Sequence, residues 1–273
     1  MRQTRRGPAF WCLAAFFAVF VLFLYGPIST ILILSFQGPD GGLTFPMNGT
    51  SLHWFRNLTE RQAVGDFGGS LSRSLILGLV VMAVTVVFSF AAGLAFRRRF
   101  RGAGAIFYLA IASLIVPSIL VSLGIGLLFN ILGWEAAWYS SGLGAHLTWT
   151  LPFGLLIMFA VFNRFSPAYE EAARDLGATP WQSVRHVVLP IILPSLIGVG
   201  LFGFTLSYDE FARSLMTAGS FNTLPLEIYG MTTNVTTPVL YALGTTTTGL
   251  SFVVIMAALG TVLMLQRRRA RRR

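Results

Sequence analysis

The chain has 273 residues, 55% of them hydrophobic and only 11% charged, with a mean hydropathy of +0.71. A soluble globule carries about a quarter charged residues, so the composition excludes an ordinary water-soluble domain and expects lipid as solvent. The formal charge of +10 comes from arginine alone, because the chain contains no lysine; these arginines lie beside apolar runs, which fits membrane topology better than nucleic-acid binding. A single cysteine, Cys12, excludes an intrachain disulfide and any cysteine-cluster metal site.

Six apolar segments reach the length of about 20 helical residues that a hydrocarbon core requires. They lie near 9–36, 70–96, 104–130, 145–164, 189–212 and 242–265. The first follows Arg2, Arg5 and Arg6 and is too long for a signal-peptide apolar core of about 7–15 residues, so it reads as a retained span. Residues 37–69 are rich in glycine, proline and polar residues, and Ser51–Leu58 within them has the pattern of an interfacial helical turn. With the amino terminus inside, the cytoplasmic segments hold Arg2, Arg5 and Arg6, then Arg97, Arg98, Arg99 and Arg101, then Arg164, Arg174 and Arg185, and finally the arginines of 267–273. Only Arg56, Arg61, Arg73 and Arg213 fall outside or near the outer ends, so the positive charge predicts six spans with both termini cytoplasmic. The domain expectation is one transmembrane domain over 1–273, with a cytoplasmic loop at 166–187 inside it.

That loop, between the fourth and fifth spans, reads as two short helices with a sharp turn. Ser166-Pro167 offers an N-cap followed by proline at the first helical position. Glu170 and Glu171 sit early, where the helix dipole favours negative charge. Gly177 suits the left-handed residue that ends a helix. Thr179-Pro180 repeats the start, and Trp181–Val187 forms a second short helix ahead of Pro190. Leu176, Ala178, Trp181 and Val184 are the apolar residues that such a pair of helices could present for docking. A solvated connection is the plain alternative, but two capped helices exceed what a connection needs.

The run Glu170-Glu171-Ala172-Ala173-Arg174-Asp175-Leu176-Gly177-Ala178, closing at Val187-Val188-Leu189-Pro190, resembles the "EAA" loop of ABC importer permeases. One departure is Val187, where the family usually has isoleucine; β-branched apolar character is kept. The resemblance covers essentially the whole chain. It implies an all-α membrane protein with the type I, MetI-like permease fold. It also implies that Glu170, Glu171, Ala172, Ala173, Asp175, Gly177, Ala178 and Trp181 couple to a dimeric ATP-binding subunit. A second permease subunit and an extracytoplasmic solute-binding protein are the other implied partners, and a bacterial inner membrane is the implied location.

The residues agree with this division of labour. A P-loop needs a lysine on the β and γ phosphates, and a chain without lysine cannot supply one. ATP and magnesium are therefore expected on the partner, with no catalytic residue, cofactor or metal on this chain. No H-E-x-x-H or G-x-S-x-G pattern occurs, and His53, His146 and His186 fall in separate loops or at span ends. His186 reads as a charge partner at a helix C-terminus.

The fifth span ends in Phe204-Thr205-Leu206-Ser207-Tyr208-Asp209-Glu210-Phe211. Carboxylates at the end of an apolar segment need a partner, water or a task. Asp209 and Glu210 could line a path for a cationic solute, with Phe204 and Tyr208 offering π faces; equally, Arg213 could pair with both at helical spacing. The same tract, with Leu224-Pro225-Leu226-Glu227-Ile228-Tyr229-Gly230-Met231 downstream and Trp54-Phe55-x-x-Leu58 upstream, resembles the PotC-type branch of spermidine/putrescine permeases. Polyamine import, with a non-identical sister permease, is what this implies. The branch also includes relatives for organophosphonates and amino-acid-like solutes, which stay open as alternatives. An ion-gradient transporter would show several ionisable residues within its spans and an internal repeat; here, apart from Asp209, Glu210 and Arg213, the apolar segments are almost free of charge.

Overall fold

The computed structural model describes residues 7–58, 65–98, 100–234 and 238–270. Arg2, Arg5, Arg6, Arg61, Arg99 and Arg271, Arg272 and Arg273, on which part of the topology expectation rests, lie outside the described residues. The described secondary structure is helical: α1 Pro8–Leu34, α2 His53–Asn57, α3 Phe67–Phe96, α4 Ala103–Ala112, α5 Ser118–Ile131, α6 Leu143–Asn163, α7 Ala168–Asp175, α8 Pro180–Ser183, α9 Leu189–Tyr208, α10 Leu224–Asn234 and α11 Val239–Ala270. Pi-helical turns at Trp138–Gly142 and Val184–Val188 lead into α6 and α9.

Among the described residues, five stretches are long and apolar enough to cross a membrane: Pro8–Leu34, Phe67–Phe96, Trp138–Asn163, Pro180–Tyr208 and Val239–Thr261. The third predicted span is not among them. It is split into α4 and α5. Leu114 and Ile115 donate to carbonyls only three residues back, Ile111 and Ala112. Pro117 then has no N–H to give and disfavours a helical residue before it, while its carbonyl accepts from Leu120 and Val121 to start α5. Two further expectations are corrected. The helix that starts at Pro180 does not stop before Pro190: Leu189 donates to the Val184 carbonyl, five residues back, and this wider turn carries the chain past the proline ring. His186 therefore lies inside a continuous helical run, its Nδ1 3.1 Å from the Gln182 carbonyl, and not at a helix C-terminus. Between the fifth and sixth predicted segments the chain forms a further helix, α10.

The chain forms two compact units, residues 1–65 with 230–252 and residues 66–229 with 253–273. In the first, the segment after α1 is ordered by Gln37, which is fully buried. Its Nε2 donates to the Gly42 carbonyl (3.0 Å) and its Oε1 accepts from the Asn48 N–H (2.9 Å). Trp54 Nε1 donates to the Gly38 carbonyl at 3.3 Å, and the Tyr241 hydroxyl to the Leu43 carbonyl at 2.8 Å. The helical turn expected within Ser51–Leu58 is α2.

The second unit is built on α3, packed against α6 and α9. Asp66 caps α3 by accepting from the Gly69 N–H at 3.2 Å and pairs with Arg73 at 3.0 Å. The buried face of α3 is a stripe of mostly small residues at helical spacing: Ser70, Ser74, Gly78, Val81, Thr85, Ser89 and Gly93. Ile76, Leu79, Val87 and Phe88 are exposed. This arrangement suits a lipid solvent: large apolar side chains face the acyl chains, and small ones let backbones approach. Thr85 donates to Thr150 across the α3–α6 contact at 2.8 Å. At one end the packing is larger, with Met158, Phe162, Val188, Ile192, Leu196 and Val199 in one buried cluster.

Gly154 sits where α6 crosses α3, and a Cβ there would overlap Ser89 Oγ and lie 3.0 Å from the Thr85 methyl. Gly154→Leu is expected to cost about 1–3 kcal/mol by overpacking, read as a lower melting temperature in detergent. An unchanged melt would show that the contact is loose.

Candidate functional site

The handle predicted at 166–187 is present as α7, a left-handed turn and α8. Pro167 occupies the cap position of α7, and Ser166, expected there, offers its backbone carbonyl to the Tyr169 N–H at 3.4 Å. A serine hydroxyl is not needed because the Pro167 carbonyl accepts from Glu170 and Glu171. Gly177 has φ +83°, the conformation that favours glycine. Its N–H donates to the Arg174 carbonyl (2.8 Å) and that of Ala178 to the Ala173 carbonyl (3.0 Å), which satisfies the end of α7 as a Schellman motif. Thr179 then starts α8 with a capping box: its N–H donates to Gln182 Oε1 (2.8 Å), and Gln182 N–H donates to Thr179 Oγ1 (3.3 Å).

These caps hold two faces apart. Glu171, Ala172, Asp175, Leu176 and Trp181 are exposed, Leu176 at 91% and Trp181 at 69%, while Ala173 and Ala178 are half-buried. Glu170 differs from the rest of the expected set. Its side chain is only 12% exposed and turns inward to Arg97, the residue that ends α3, with Nη2–Oε1 at 2.5 Å. The Arg97 guanidinium also lies over the rings of Phe162 (5.1 Å) and Phe165 (5.2 Å). Beside this pair is an open cleft of about 860 Å3, lined among others by Arg97, Arg98, Phe159, Glu171 and Arg174.

The far end of α9 carries the other expected site. Phe204 is buried, stacks on Tyr208 with ring centroids 5.7 Å apart, and leaves room only for glycine at Gly78, where a Cβ would lie 3.0 Å from its ring. Asp209 and Glu210 separate in role. Glu210 serves Arg213: its Oε1 accepts the Arg213 N–H at 3.0 Å, and its Oε2 lies 3.6 Å from Nη1. Asp209 is exposed, and among the described residues its carboxylate has no ion-pair or hydrogen-bond partner. Partial loss of hydration raises its carboxyl above the usual aspartate range.

Around Arg213 is a buried polar knot that the sequence did not reveal. Its side chain is fully buried. Nη1 donates to Ser118 Oγ (2.6 Å), Nε to Thr148 Oγ1 (3.4 Å), and the guanidinium carbon lies 4.4 Å from the Trp149 ring centroid. Burial disfavours its charge, and Glu210 opposes that. Ser122 donates to the Arg213 carbonyl at 3.0 Å and accepts from the Met216 N–H at 2.9 Å. His146, expected at a span end, is instead buried within α6 and bridges Ser207 Oγ (2.8 Å) and Ser214 Oγ (2.9 Å). Among the described residues no three His, Cys, Asp or Glu side chains cluster as a metal site. The available signal was Ser118, Ser122, Thr148 and His146 standing in apolar runs, but spacing alone does not pair residues that are 60 to 95 positions apart.

Comparison with known proteins joins the two sites. The family model for "Binding-protein-dependent transport system inner membrane component" matches residues 86–273. The spermidine/putrescine transport system permease protein PotC of Haemophilus influenzae is 29% identical over 243 residues, covering 89% of this chain and 93% of that protein. The putrescine transport system permease protein PotI of Escherichia coli is 27% identical over 259 residues, covering 88% and 84%. Among solved structures, a bacterial ABC transporter that imports the polysaccharide alginate superposes with TM-score 0.70 at 15% identity, covering 93% of this chain and 96% of that one. A match over residues 86–273 takes in the end of α3, all of α6 and α9, the handle and the Arg213 knot. The chain belongs to the binding-protein-dependent inner-membrane transport component family, as a multi-pass permease subunit of a type I ABC importer and not an enzyme.

Proposed function

We propose that this permease imports polyamines, spermidine or putrescine, or a related small cationic solute, across a bacterial inner membrane. The observation that carries this reading is Asp209: a carboxylate at the end of a membrane-length helix, next to the Phe204–Tyr208 ring pair and without a partner among the described residues. A cation with apolar methylene spacers would meet charge and π face together there. The relatives over 89% and 88% of the chain are spermidine/putrescine and putrescine permeases, which supports the same solute class.

In this reading α4 and α5 together make the sixth, broken crossing; Ile115, Val116 and Pro117 between them are exposed on this chain, so the sister permease covers the irregular backbone there. Both termini lie in the cytoplasm. The exposed face of 166–187, Glu171, Ala172, Asp175, Leu176 and Trp181, docks an ATP-binding subunit dimer. That subunit holds ATP and magnesium. A second, non-identical permease completes the pathway and an extracytoplasmic binding protein delivers solute.

The test is uptake of radiolabelled spermidine and putrescine into proteoliposomes holding the full complex. Asp209→Asn is expected to lower uptake about tenfold, at the low end of what charge in a focusing cleft supplies, with assembly and ATP hydrolysis retained. Wild-type-like uptake by this variant removes Asp209 from the path. Uptake of an organophosphonate or an amino acid in place of either polyamine overturns the solute class.

A further inference from the structure

The handle and the bundle are joined by more than their connectors. The helix α7 is tied to the unit at its ends by residues 164–167 and 176–179, and neither connector is regular structure. Between them, Glu170 reaches Arg97 at 2.5 Å. Among the described residues this is the ion pair that links α7 to a membrane-length helix; the other pair of Glu170, with Arg174 at 3.8 Å, stays within α7. Arg97 is held on its other side by Phe162 and Phe165. Phe162 in turn belongs to the buried cluster with Val188 and Ile192 at the start of α9. A guanidinium stacked on rings and ion-paired with a carboxylate has fewer alternative geometries than a solvated surface pair.

The position of Arg97 matters as much as its contacts. It ends α3, the helix whose small-residue face packs on both α6 and α9 and whose Gly78 receives the Phe204 ring. A displacement of α7 that enters α3 at Arg97 therefore acts on a single rigid helix that reaches the ring pair beside Asp209.

We propose that Arg97 is a positioning residue that clasps the docking helix α7 to α3 through Glu170, so that α7 and the end of α3 move as one body when ATP binds. The proposal rests on the reading that 166–187 docks the ATP-binding subunit. It gives Glu170 a role distinct from its exposed neighbours: Glu171, Ala172, Asp175 and Leu176 face the ATPase, and Glu170 faces the permease.

The test uses the assembled complex in nanodiscs with Cys12→Ser and nitroxide labels at Ala95→Cys on α3 and Ala168→Cys at the start of α7, both exposed positions outside the docking face. Distances are measured without nucleotide and with ATP–vanadate. The expected result is one narrow distance, unchanged by ATP–vanadate, in the otherwise native protein. In Arg97→Ala and in the isosteric Glu170→Gln the narrow peak is lost, and the exchanged pair Arg97→Glu with Glu170→Arg restores it. Both single variants keep the ATP-binding subunit on co-purification. A merely structural role does not predict rescue by exchange.

A narrow, unchanged distance in Arg97→Ala and Glu170→Gln overturns the clasp. Leu176→Asp, in the same preparation, reports on docking separately. If it releases the ATP-binding subunit while the clasp variants leave the distance untouched, docking stands and the clasp is wrong. If it releases nothing, the docking reading is wrong and the clasp falls with it.

Discussion

Arg213→Met is expected to destabilise the permease by about 3–5 kcal/mol, the usual cost of removing one partner from a buried ion pair. The methionine fills much of the volume but leaves the Glu210 carboxylate, 3.6 Å from the lost guanidinium, without its counter-charge. It also removes donors from Ser118 Oγ and Thr148 Oγ1, and the cation from the Trp149 face. These contacts tie the loop after α9 to α5 and α6, so the loss should appear as a lower melting temperature of the detergent-solubilised complex. Adding Glu210→Gln to Arg213→Met should recover part of that loss, because the orphaned charge is then gone. A single variant that melts within about 0.5 kcal/mol of wild type, the range of ordinary surface substitutions, would show that water reaches the knot.

Leu176→Asp is expected to release the ATP-binding subunit while the permease itself melts normally. At 91% exposure the leucine supports nothing within its own chain. Buried on a partner it would contribute about 1.5–3 kcal/mol, and its replacement by a charge adds a desolvation cost. Together these weaken docking about a hundredfold, since each 1.4 kcal/mol is tenfold. Co-purification with an affinity-tagged ATP-binding subunit measures it. Retention at wild-type levels would overturn docking through 166–187, the face that Leu176 shares with Trp181, itself 69% exposed. The Schellman turn at Gly177 sets the angle at which Leu176 is presented, so the prediction depends on that turn staying intact.

Much of this protein was legible from residue order because the physics involved is local. The apolar runs near 9–36, 70–96, 145–164 and 242–265 announce helices by length and hydropathy, and helices occupy them. The caps at Gly177 and Thr179 are read from single residues, since a left-handed turn and a proline-led start each have a narrow set of candidates. Two prolines were misread: the expected span over 104–130 runs through Pro117, and the expected short helix stops ahead of Pro190. Pro117 does break its helix and Pro190 does not, because a π turn ahead of Pro190 supplies an alternative hydrogen-bond register and no such turn precedes Pro117.

The sequence by itself determined that the chain is a lysine-free, membrane-length helical protein with a shaped handle at 166–187, because composition, helix period and capping act over a few neighbouring residues. Only the tertiary structure decided what the charges on that frame do. On α3 the buried face is mostly small or hydroxylic while large apolar side chains face outward, so hydrophobicity alone does not forecast burial, and partners are chosen by packing between distant helices. That is why Glu170 and Glu171, adjacent in the chain, face opposite ways, and why Asp209 and Glu210 divide into a carboxylate without a partner and the counter-charge of a buried arginine.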